Sequence, residues 1–209
     1  MISHQLVKSY RYIETILFPP NSRPYGLTFS QWIVEWWRWL LSIPKESNPA
    51  FDMSGSHVSE KQVNPNVWFL TGTFGGSVVR RCKIPLGKAI LIPVINYECS
   101  FAEEQRVTTE SELKLKCEKE IDDIKNLYFG IDELFLRDLS AYRTRSPLFD
   151  VDLGKNNILG VPECTTKMIS DGYWIFVKPL RIGSHKLISS GSCRSGRIMI
   201  GTTYDLCVQ

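Results

Sequence analysis

Between residues 29 and 43 the chain reads Phe-Ser-Gln-Trp-Ile-Val-Glu-Trp-Trp-Arg-Trp-Leu-Leu-Ser-Ile, a stretch that holds four of its six tryptophans. Trp32, Trp36, Trp39 and Ile43 recur at helical spacing with Ile33, Trp37 and Leu40 beside them, while Gln31, Glu35, Arg38 and Ser42 make a narrow polar stripe. A helix with so little polar girth has to bury most of its surface. Each tryptophan can remove on the order of 200 Å² from water, so this segment alone can anchor a domain. An interfacial membrane helix is the competing reading, but it calls for a broad basic face, and here Glu35 opposes Arg38. The stripe predicts packing against a core. Thr28 and Gln31 form a capping box at its start, and Pro44 ends it.

Elsewhere the period is two. Val67 to Phe74, a Gly75-Gly76 pair and Ser77 to Ile84 predict a hairpin with a primed turn. Ala89 to Asn96 is apolar on both faces and reads as a buried strand, with Pro93 marking a bulge or an edge. Thr109 and Glu112 make a second capping box, and Leu113, Cys117, Ile121, Ile124 and Tyr128 line one face of a helix from about 110 to 127. The best-patterned strands follow at 173–180, 185–188 and 198–208. Many strands, two helices and no strand–helix alternation define the expected fold: mainly β with helical additions, an antiparallel, jelly-roll-like β-sandwich plus helices at about 29–43 and 110–127. No linker composition divides the 209 residues, so one domain is expected, with 1–24 as a weakly patterned N-terminal extension.

Composition narrows the function classes. A net charge of +3 is too small to argue for nucleic acid. The longest apolar run, from Trp36 to Ile43, is interrupted by Arg38 and falls far short of the roughly 20 residues that span a bilayer. The N-terminus lacks the apolar stretch of a secretory signal, so the chain as written reads as cytoplasmic. Six cysteines contain no Cys-x-x-Cys pair, which disfavours metal ribbons and thioredoxin-like motifs.

Several blocks occur together and in order: Tyr25-Gly26, the tryptophan helix, Asn48-Pro49, Asp52-x-x-Gly55, Val67-Trp-Phe-Leu-x-Gly-Thr-Phe-Gly-Gly76, Arg81-Cys82, Ile84-Pro-x-Gly-Lys88, Asn96, Asp171-Gly-Tyr-Trp174, Pro179-Leu180 and Gly183-x-His185. In these the chain resembles a bacterial and archaeal protein family to which no activity is assigned, over residues from about 25 to the C-terminus. The resemblance supports a fold. Its members often begin with a signal peptide, which implies an extracytoplasmic location as the alternative to a cytoplasmic one. They also often carry a cysteine soon after the Asp-x-x-Gly block, where this chain has His57 and Val58. Cys99 and Cys117 remain, and they form the candidate disulfide if the second helix folds back over the sheet end. Such a bond closes a loop of about 17 residues and contributes on the order of 3 kcal/mol in the chain-entropy model.

No strong catalytic motif is present. Cys82 lies among Arg80, Arg81 and Lys83, but strand alternation puts Val78, Arg80, Cys82 and Ile84 on one face, which reads as a buried, inert thiol. His57 and His185, with Asp52 and Glu98, are the ligand types of a zinc or iron site, yet no His-x-His or His-Glu-x-x-His spacing brings two onto one face. No metal or cofactor is expected. The residues 44–66 form a loop longer than a helix-to-strand connection needs. Two readings stand open for it: a ligand surface built from Asp52, His57 and Gln62, joined by Asn96, Glu98 or His185, or an ordered cover for a sheet edge. The leading expectation is a non-enzymatic module that binds a small ligand, a glycan or a protein. The alternative is a hydrolase or metal-dependent enzyme using Asp52, Glu98, His57 or His185.

Overall fold

Strands that are apolar on both faces need a cover on each, and those that alternate need only one. That difference sorts the chain into three layers in the computed structural model, which describes residues 13–136, 138–193 and 196–209. The first sheet holds β1 (Val67–Phe69), β3 (Ala89–Ser100), β8 (Cys164–Val177) and β6 (Arg143–Arg145) in that order, with β7 (Phe149–Leu153) also on β8. The second runs β2 (Gly76–Ile84), β10 (Ile198–Val208), β9 (Gly183–Cys193), β4 (Lys125–Ile131) and β5 (Leu134–Leu136). Ile90, Ile92, Ile175 and Val177 of the first sheet meet Ile84, Phe129, Leu187, Tyr204 and Leu206 of the second in one core. The other face of the first sheet carries α1 (Phe29–Leu41), whose Trp32, Trp36 and Trp39 pack with Phe69, Leu91, Trp174 and Phe176 in another. The outer face of the second sheet stays open to solvent, so β2 alternates buried and exposed along its length.

The sandwich with added helices is therefore the fold, and each sheet is mixed. β1 pairs with β3 and β2 pairs with β10 in parallel, while the remaining pairs are antiparallel. The expected hairpin between β1 and β2 does not form. β1 is buried throughout and joins the doubly covered sheet, β2 alternates and joins the other, and the Gly75-Gly76 segment carries the chain between them. Pro93 does mark a bulge, where the register of β3 against β8 shifts between Pro93 and Ile95.

Both capping boxes are present, at Thr28–Gln31 and Thr109–Glu112. The first helix stops at Leu41, the last residues before Pro44 turning out of it. The second, α2 (Glu110–Asp122), ends five residues before the expected 127, because Lys125 begins β4 and Asn126 takes a φ of 54° that no helix tolerates. Of the weakly patterned 1–24 stretch, residues 1–12 lie outside the described ones; Ile13 and Leu17 are fully buried, and Leu17 bridges Val177.

α2 lies over the far end of β3 and β8, where Leu113 and Cys117 meet Cys99 and Ile169. The candidate disulfide pair is thus brought together, but both remain free thiols. The Cys117 thiol donates to the main-chain oxygens of Tyr97 at 3.4 Å and Ile169 at 3.9 Å. Contact with Cys117 and burial push the Cys99 thiol far up. Beside them, Arg143 grips the buried Asp171 carboxylate and reaches Asp122 of α2 at 2.6 Å, which ties helix to sheet.

Candidate functional site

The loop from 44 to 66 starts where Asn48, almost wholly buried, caps α1: its side-chain amide donates to the carbonyls of Leu40 (2.8 Å) and Ile43 (3.0 Å). Its next anchor is Arg80. Strand alternation points this side chain inward, where it is fully buried with no carboxylate against it, an expensive arrangement unless every donor is used. Nε donates to the carbonyl of Asp52 (2.6 Å) and Nη2 to that of Ala50 (3.3 Å). Nη1 donates to the carbonyls of Thr71 and Gly72 and to the hydroxyl of Tyr204, at 2.9 to 3.1 Å. One planar fork thus fixes the loop, the β1–β2 connection and β10 together.

Above this clamp the two fixed segments bring Phe51 and Phe74 into a stacked pair, centroids 4.8 Å apart and planes 25° from parallel. Lys45 lies 5.3 Å from the Phe51 ring centre. Phe51 is 40% and Phe74 61% exposed, and Met53, two positions after Phe51, is 65% exposed. The backbone on either side of these exposed rings is thus fixed by a buried hydrogen-bond network.

The residues singled out from sequence fall into three separate networks. Asp52, His57 and Gln62 all lie in the loop. The Asp52 carboxylate accepts from the main-chain N–H of Ser54 and of His57, both at 2.8 Å, and from the Ser54 hydroxyl. Burial raises its pKa, but these donors outweigh it and hold it at about 2. The His57 ring faces Glu60 at 4.0 Å. Gln62 works as a substitute strand: its amide oxygen accepts from Phe69 N–H (3.0 Å) and its amide nitrogen donates to Phe69 C=O (2.7 Å), completing the edge of β1. On the other sheet, Ser54 C=O accepts from Arg81 N–H at 3.0 Å. Gly55 lies so close to that strand, at φ +94°, that a Cβ there would sit 2.3 Å from the Arg81 oxygen. The loop covers one edge of each sheet at once.

Asn96 and Glu98 share the other face of β3, away from α2. The Asn96 amide nitrogen and one Glu98 carboxylate oxygen are buried without a hydrogen-bond partner. Burial, together with the charge and hydrogen bond of Glu103, pushes the Glu98 carboxyl well above the usual range. His185 lies on β9, half-buried, with Nδ1 2.8 Å from Asp132 and Nε2 2.9 Å from the Arg181 carbonyl. Burial lowers its pKa, and these two acceptors more than reverse that. It borders an open depression of about 690 Å³ on the outer face of the second sheet, with Arg81, Lys83, Lys186 and Cys207. Among the described residues no three His, Cys, Asp or Glu side chains are grouped to hold a metal ion, and no helix is long and apolar enough to cross a membrane.

Sequence reasoning passed over Arg80, Phe51 and Phe74. Arg80 had a signal, since alternation places it among Val78, Cys82 and Ile84. The Phe51–Phe74 pair had none, because 23 positions of chain separate its members.

No family model and no curated protein matches the chain. Among solved structures, one described as "Structure of PbICP-C in complex with falcipain-2" overlaps 69% of this chain and 99% of that one, at 12% identity and a TM-score of 0.26. A likeness that remote bears on neither fold nor partner.

Proposed function

We propose that the protein is a non-enzymatic β-sandwich module that binds a protein partner through Phe51, Phe74 and the rim of the 44–66 loop. The observation that carries this reading is the stacked, exposed phenylalanine pair standing on the buried Arg80 clamp. Aromatic anchors of this kind dominate protein contacts when their scaffold is rigid. A glycan site needs free directional donors and acceptors, whereas Asp52 and Ser54 spend theirs inside the loop and Gln62 on the edge of β1. A small-ligand site encloses its ligand, whereas these rings stand out into solvent. The enzyme alternative draws less support: the Asp52 carboxylate is saturated by its own loop, and both ring nitrogens of His185 are engaged.

The test is selection of a random dodecapeptide display library on the purified protein. Enriched peptides should bind the native chain and lose binding to a Phe51→Ala/Phe74→Ala double variant whose far-UV circular dichroism is unchanged. Equal binding to that variant, or no enrichment at all, overturns the reading.

A further inference from the structure

The free side of β2 begins where the Phe51–Phe74 pair ends. In a regular parallel ladder, alternate residues point both backbone groups at the neighbouring strand and the others point them away. The Arg81 N–H is spent on Ser54, so Arg81 faces away from β10, and the unbroken register from Gly76 to Ile84 puts Ser77 and Val79 in the same phase. Among the described residues nothing donates to or accepts from that side of Ser77 or Val79. The loop covers the edge at Arg81 and leaves it open from Gly76 to Val79.

Natural sheets guard such an edge with charge or proline. Here the segment Phe74-Gly-Gly-Ser-Val-Val79 has neither, and Val79 is 62% exposed. The nearest exposed ionic groups on the strand are Arg81 and Lys83, both without an ion pair among the described residues; Asp205, the ladder neighbour of Arg81, is taken by Lys186 at 3.4 Å.

We infer that the partner enters as an extended peptide that adds a strand to β2 at Gly76–Val79, sets an apolar side chain on the Phe51–Phe74 pair and places carboxylates near Arg81 and Lys83. This deepens the proposed function and rests on it. The main-chain ladder supplies affinity for any extended chain, and the rings and cations select which one. A second copy of this chain fits less well, because antiparallel pairing at Gly76–Val79 would bring the uncharged segment 71–75 to Arg81 and Lys83 in place of carboxylates.

The enriched dodecapeptides are the probe. Their consensus should alternate apolar residues and carry Asp or Glu toward one end, and their binding should slow hydrogen exchange at the Ser77 and Val79 amides. Val79→Pro deletes an N–H that points away from β10, so the sheet keeps its own ladder while peptide affinity falls by roughly tenfold or more. If peptides need Phe51 and Phe74 but leave Ser77 and Val79 exchange unchanged, strand addition is overturned and the binding surface stands. If binding ignores the two rings, both fall. Protection of the same amides without peptide, in a protein that sediments as a dimer, would overturn the inference by making a second copy the occupant. The exchange measurement decides the matter even if the proline variant fails to fold.

Discussion

Glu98 lies on β3 between exposed Tyr97 and buried Cys99, with one buried carboxylate oxygen unpartnered and Glu103 beside it. Burial first, then the negative charge of Glu103, raises its pKa above that of the unfolded chain, about 4.3. The folded state therefore holds this proton more tightly than the unfolded state. By linkage its contribution is unpenalised below about pH 4 and becomes destabilising as pH rises through the folded value. Glu98→Gln should raise stability at pH 7 and leave it almost unchanged near pH 4, read from urea midpoints at the two pH values. A variant equally or less stable at pH 7 would show that the carboxylate is accommodated. Asp52 behaves oppositely: its lowered pKa, about 2, is a contribution present above about pH 4 and lost in strong acid.

At the scale of the element, α1 is held less by its propensity than by what its indoles reach. Trp32, Trp36 and Trp39 are 3%, 2% and 6% exposed, as their spacing demands. Their N–H groups donate to the carbonyls of Pro24, Leu70 and Glu60, at 2.8 to 2.9 Å. One helix thus ties the chain before it, the end of β1 and the loop after it. Trp36 also meets Trp37 and Trp174 edge-on, centroids 5.0 and 5.1 Å away. Trp36→Ala should cost about 3 to 5 kcal/mol by the cavity it leaves, and Trp36→Phe about 1 to 3 kcal/mol because the Leu70 carbonyl loses its donor in a dry site. Chemical denaturation measures both. Native fluorescence should be blue-shifted and protected from iodide; emission like that of free indole in water would contradict the packing.

For the whole molecule, the question is what closes a sandwich whose two sheets each end in an open parallel strand on the same flank. The 44–66 loop does so through Gln62 on β1 and Ser54 and Gly55 on β2, and Arg80 locks it from inside. Arg80→Lys keeps the charge but loses the planar fork, leaving carbonyls of Ala50, Asp52, Thr71 or Gly72 without donors. The expected cost is about 2 to 4 kcal/mol, with faster hydrogen exchange in the loop and around Thr71 rather than in β8. A loss of protection spread evenly over both sheets would mean that Arg80 supports the core in general rather than this closure.

What depends on periodicity and on nearest neighbours is legible along the chain. The girth of α1, both capping boxes, the inward face shared by Arg80 and Cys82, the bulge at Pro93 and the sandwich with two helices could all be read along the chain, because each is a local rule of spacing or capping. Tertiary structure alone decided what depends on pairing across long separations. Parallel pairing of β1 with β3 and of β2 with β10, in place of a β1–β2 hairpin, follows from which strand needs two covers, and a glycine pair does not carry that information. The end of α2 before Lys125 was set by the strand that the chain must add to β9, against the helical pattern through Ile124. Asp52, His57 and Gln62 were legible as an ordered polar loop, but only packing showed that Asp52 and Gln62 spend their hydrogen bonds inward. The exposed contact of Phe51 with Phe74 arises because one buried guanidinium draws two distant segments together, and nothing short of the folded core brings it into place.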